Sequence, residues 1–135
     1  MSDKILSKDM ILAVNDQKIE KVPVPEWGGM VYVRSLSGTE RDAFEASMAT
    51  VGPDGKQEKL NLNNFRARLS AMAICDQDGK RLFSDQDATA LGEKNIKALL
   101  RIYMTAARLS ALRNSDMLEL MEALKNARKG DSTSA

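Results

Sequence analysis

The sequence predicts an α+β fold, predominantly helical, in which an N-terminal β-hairpin is followed by about four to five helices in one compact domain. Three observations carry this. Between Val22 and Glu45 the apolar spacing changes from every second residue to every third or fourth, the switch from strand to helix. Gly28-Gly29 interrupts two alternating runs where a tight reversal is needed. Cap-forming residues precede each later periodic stretch, at Ser37, at Asn61 or Asn63, at Ser84, and at Asn114 to Asp116. A chain of 135 residues suffices for one core, so a single domain over 1–128 with a disordered tail over 129–135 is expected.

Taken in order, Met1 to about Lys18 holds apolar Ile5, Leu6, Met10, Ile11, Leu12 and Val14 without a clean cap, and reads as partly ordered strand or coil. Ile19 to Val24 alternates as a strand. Pro23 and Pro25 lack backbone donors, which places it at a sheet edge with those positions facing away from the ladder. Gly28-Gly29 supplies the positive φ angles of a hairpin, and Met30 to Arg34 returns. Ser37-x-x-Glu40 is a capping box opening a helix to about Thr50, which Gly52-Pro53-Asp54-Gly55 ends. Val51 to Lys59 reads as an exposed loop. Phe65, Leu69, Met72 and Ala73 recur at helical spacing through Cys75, and Asp76 to Gly79 turns the chain toward Leu82-Phe83, as in a small second hairpin. A short helix from Ser84 stops at Gly92.

The longest helix candidate is Glu93 to Leu112. Ile96, Leu99, Leu100, Tyr103 and Ala107 fall on one side, while Lys94, Lys97, Arg101 and Arg108 fall on the other. Met117, Leu118, Met121 and Leu124 then line a final amphipathic helix to about Arg128.

Composition narrows the chemistry. Apolar residues make up 43% and charged residues 29%, ordinary globular usage, and no apolar run approaches a bilayer span, so neither disorder nor a membrane role is expected. The one cysteine permits no internal disulfide, which agrees with a reducing cytosol. Histidine is absent, which removes the commonest general base and every His-dependent triad, and one thiolate cannot build a tetrahedral metal shell. Asp76, Asp78, Asp85 and Asp87 lack the ligand order of a calcium loop and suit a turn followed by a helix start. Gly52 to Lys56 is too short for a phosphate loop. Cys75, on the inner side of its helix with no base in view, reads as a core thiol. The reading is therefore of a chain without catalytic residues or cofactor.

Candidate contacts remain. A net charge of +1 offers no general attraction to nucleic acid, and six aromatic residues without patterned spacing make no stacking platform. The basic stripe keeps a small nucleic-acid-binding or regulatory module open as an alternative, and the same cations suit an acidic protein partner. Trp27, beside the hairpin glycines, is either a core anchor or an exposed contact. Among eight methionines, whose flexible thioethers suit varied apolar partners, Met117 and Met121 are the ones expected to face a partner. Met117, Leu118, Met121 and Leu124 form the first candidate surface, and Lys97, Arg101 and Arg108 the second.

An ordered set of short blocks adds a further reading: Pro25-Glu26-Trp27-Gly28-Gly29, then Arg34 through Asp42, then Asp76 through Lys80, then Leu82-Phe83-Ser84-Asp85. Over about Glu20 to Ala107 this set resembles the tail assembly chaperones of long-tailed bacteriophages with non-contractile tails. The resemblance implies a non-enzymatic morphogenesis factor, absent from the finished virion and working in the host cell cytoplasm. It also implies that the chain coats the long helical tape measure protein and helps recruit tail tube protein around it. Relatives of this kind often have a frameshift-extended form, and self-association into a homo-oligomer is expected.

Overall fold

The computed structural model describes residues 3–51, 57–112 and 122. Its fold is α+β and helix-rich: among the described residues there are a three-stranded antiparallel sheet near the N-terminus and five helices, with a small two-stranded sheet between the second and third of them. The sheet runs in the order β1-β2-β5, with β1 over Ile19–Val24, β2 over Gly29–Arg34 and β5 over Ile74–Cys75.

β1 and β2 pair from Ile19 opposite Arg34 to Val24 opposite Gly29. Ser35 N donates to Lys18 O at 2.8 Å, so the even-numbered positions of β1 bond toward β2, and Ile19, Lys21 and Pro23 point their backbone groups away from it. Pro23 thus occupies the outward-facing position expected of it. The link between the strands differs from a two-glycine turn. Pro25–Trp27 form a 3-10 turn with Pro25 at its start, and only Gly28 has a positive φ, 75°, while Gly29 already belongs to β2.

Residues 3–18 are also more regular than a coil. Helix α1, Lys8–Ala13, is opened by a capping box in which the Ser7 hydroxyl accepts from Met10 N, and Ser7 N donates to the Met10 thioether at 3.5 Å. The expected capping box of α2, Gly38–Ser47, is present: Ser37 Oγ accepts from Glu40 N at 3.1 Å, and Ser37 N donates to Glu40 at 3.0 Å. Thr50 lies beyond this helix. It belongs to β3, Ala49–Val51, which pairs with β4, Gln57–Leu60, where a loop was expected. α3, Phe65–Ala73, starts without a side-chain cap: Asn64 adopts a left-handed φ of 53°, and Asn61 accepts from Asn63 N instead. Cys75 pairs opposite Tyr32 in β5, just past that helix, and the second hairpin reduces to a bridge between Cys75 and Arg81. A 3-10 turn over Asp85–Asp87, capped by Ser84, leads into α4, Ala88–Leu91, and Gly92 follows. α5 is Ile96–Leu109.

Phe44 and Met48 from the α2 region, Leu69 and Met72 from α3, Val22, Val24, Val33 and Ile74 from the sheet, and Leu99 and Ile102 from α5 form one buried apolar cluster. Burial of each such side chain contributes about 1.5–3 kcal/mol before entropy. Arg34 is the charged member of this interior. Its guanidinium makes paired bonds to Glu40 at 3.1 and 2.5 Å and donates to Met72 O at 2.8 Å, tying β2, α2 and α3 together. Burial works against the Glu40 charge, but the Arg34 hydrogen bonds and the Ser37 amide outweigh it and hold the carboxyl below its ordinary value of 4.5. Arg68 ties α3 to the end of α2, donating to Ser47 O at 2.6 Å and to Asn61 O at 2.7 Å.

Candidate functional site

α5 carries most of the candidate surface. Asn95 caps it, accepting from Lys97 N at 2.8 Å, and it ends in a reversal where Ala111 N donates to Arg108 O and Leu112 N donates to Ala107 O at 2.8 Å. Ala111 stands at φ 56°, a position glycine normally fills, and buried Leu112 anchors the turn. α5 packs against α3 and the sheet, with Tyr103 meeting Phe65 edge to face at 5.5 Å.

The buried side of α5 overlaps the side that spacing predicts but is turned from it. Ala98, Leu99, Ile102, Ala106 and Ala107 point inward, so Leu99 and Ala107 are buried as expected, Tyr103 packs against the core, and the inner face is rotated from the expected one by about a quarter of a turn. The rotation leaves Ile96, Leu100 and Met104 in solvent, 56%, 38% and 61% exposed. These residues lie at i, i+4 and i+8 and form a single apolar ridge about 12 Å long.

At about 100° per residue, Lys97, Arg108 and Arg101 follow one another along one border of this ridge, whereas Lys94 precedes the helix and lines a groove with Trp27 and Asp87. The three cations of the helix share a face as the sequence predicts, but two of them have partners. Arg101 makes a double bond pair to Glu26 at 2.7 and 3.3 Å, and Arg108 binds Glu20 at 2.6 Å. The Arg101 hydrogen bonds hold the Glu26 carboxyl below its usual range. Lys94 and Lys97 form no ion pair among the described residues. Glu20 and Glu26, both on the hairpin, are the site residues that sequence reasoning missed.

Trp27 combines both of its alternatives. It is half-buried, packs against the core, and lines a groove of about 660 Å³ with Leu82, Phe83, Ala90, Leu91 and Lys94. Met117, Leu118, Met121 and Leu124 lie outside the described residues, as does the tail over 129–135.

The acidic residues near Asp76 have structural roles. Asp76 accepts from Asp78 N at 2.8 Å and Lys80 N at 3.0 Å, and bonds of this kind from the Lys80 backbone hold its carboxyl low. Asp85 pairs with Arg81 at 2.8 Å, and Asp87 accepts from Ser84 N at 2.7 Å. Among the described residues no cluster of His, Cys, Asp or Glu is placed to hold a metal ion. Cys75 is buried, and burial pushes its thiol above the usual value, which disfavours the nucleophilic thiolate. No helix among the described residues is long and apolar enough to cross a membrane.

An apolar ridge exposed among the described residues and bordered by charge is a feature that protein-contact surfaces often share. Comparison with known families agrees: the family model described as phage tail assembly chaperone matches residues 7–129, and the chain belongs to that family. No curated protein and no solved structure matches it.

Proposed function

We propose that this chain binds the tape measure protein of its phage, keeps that long helical polypeptide soluble, and helps recruit tail tube protein around it. It acts in the host cytoplasm without catalytic residues or cofactor, self-associates, and is left out of the finished virion. A frameshift-extended form of the chain belongs to the same reading. The family match over residues 7–129 carries this proposal. Its physical support is the ridge of Ile96, Leu100 and Met104, because a helix with exposed apolar stripes aggregates unless another apolar surface covers it reversibly.

Met117, Leu118, Met121 and Leu124, proposed from their spacing, form a second contact region, and Trp27 a third. The deciding experiment is co-expression of the tape measure protein with and without this chain. Soluble tape measure protein only in its presence supports the proposal. Tape measure protein that stays monodisperse and builds tails after deletion of the gene overturns it.

A further inference from the structure

The proposed function leaves open which surface meets the partner and what chemistry the partner presents there. We infer that the exposed face of α5 is a docking surface for an amphipathic helix whose apolar stripe is bordered by carboxylates. This inference rests on the chaperone reading for its biological partner, but its chemistry follows from the face alone.

Two features of the face select that occupant. Its centre is apolar and ridge-shaped: Ile96, Leu100 and Met104 project in one line, each more than a third exposed, while the same helix buries Leu99 and Ile102 on its opposite side. A ridge with this spacing fits the groove between side-chain rows of a second helix. Its border is cationic. Lys97, Arg101 and Arg108 run along one side, and across Tyr103 on the other stands Arg66, stacked over the Phe65 ring at 4.5 Å from its centroid. α5 itself carries no acidic residue. The carboxylates that meet these arginines are Glu20 and Glu26, bound to Arg108 and Arg101; Lys97 acts on Glu26 only through space and forms no ion pair among the described residues, so with Arg66 positive charge remains in excess.

The two ion pairs also fix Arg101 and Arg108 in place before a partner arrives, which reduces the ordering cost of binding. The centre of the face disfavours nucleic acid: Ile96, Leu100 and Met104 offer phosphates no donor and bases no aromatic platform. Carboxylates on a partner helix meet Lys97 and the outer edges of the arginines at the border while its leucines or isoleucines cover the ridge.

The test uses the full chain and two synthetic amphipathic helical peptides about five turns long, with the same leucine stripe bordered by glutamate in one and by lysine in the other. Fluorescence anisotropy at moderate and high salt reads binding. The glutamate-bordered peptide should bind about tenfold tighter than the lysine-bordered one, with the difference shrinking as salt rises. Leu100→Ser combined with Met104→Ser should weaken that binding about tenfold with the thermal midpoint unchanged, since both side chains are exposed. Lys97→Glu should narrow or reverse the preference between the peptides.

Equal binding of the two peptides, or undiminished binding by the double variant, overturns the inference. So does a DNA duplex that displaces the glutamate-bordered peptide. Solubility of the tape measure protein separates this inference from the chaperone reading. If wild-type chain and double variant both keep it in solution, the α5 surface is wrong and the chaperone function stands. If wild-type chain fails to do so, the chaperone function falls whatever the peptides show.

Discussion

The two sides of α5 both carry large aliphatic side chains, and these have opposite fates. Ile102 is fully buried against α3 and the sheet, whereas Ile96, less than two turns earlier, is more than half exposed. The inner side achieves close packing with small residues, Ala98, Ala106 and Ala107, which let the helix approach its neighbours. The outer side keeps bulky side chains that the fold does not use. Stability and binding are thus separated on one helix, and substitutions should separate them as well.

The largest expected effect breaks the inner side. Ile102→Ala should cost about 3 kcal/mol, lost packing plus a cavity, measured by urea denaturation, whereas Ile96→Ala should change stability by less than about 0.5 kcal/mol. Similar losses at the two positions would mean that the outer face is covered in solution. Next is the contrast between ion pairs. Arg34→Ala should cost about 3 kcal/mol, because it leaves Glu40 partly buried without its partner.

Glu40 sharpens the same contrast through pH. Its carboxyl is held below the ordinary value when folded, so its stabilising contribution is fully present above that value and is lost as pH falls through the folded one. Glu40→Gln should cost about 1.5 kcal/mol at neutral pH and flatten the loss of stability on acidification, followed by thermal melts across the acid range. Smallest is Arg108→Ala, whose partner Glu20 is 42% exposed. It should change stability by about 0.3 kcal/mol, within the error of a denaturation curve.

What the sequence made legible was local. Ser37 and Glu40 are three residues apart and announce their helix directly, and Pro23 announces its edge. The cap of α1 escaped because Met10 stands where a glutamate would signal it. β4 escaped because Gln57-Glu58-Lys59 is polar, and its pairing with β3 lies in the backbone. The face of α5 was read about a quarter of a turn off, with Leu99 and Ala107 right, because Ala98 and Ala106 weigh little in a hydrophobic pattern yet are what close packing selects. At the candidate site, the shared face of Lys97, Arg101 and Arg108 could be read from helical spacing, but their carboxylate partners could not. Glu26 and Glu20 lie 75 and 88 residues away along the chain from the arginines they bind.

Pro23 has a consequence for a molecule with so much uncovered apolar surface. Between Ile19 and Val24 the outer rim of the sheet offers a neighbour amide hydrogens only at Ile19 and Lys21, and Lys21 also carries a charge there. Stacking of chains into a growing ribbon needs an unbroken row of such hydrogens, and the imide ring removes one. The rim of β1 is therefore a poor template on which a second backbone could extend the sheet.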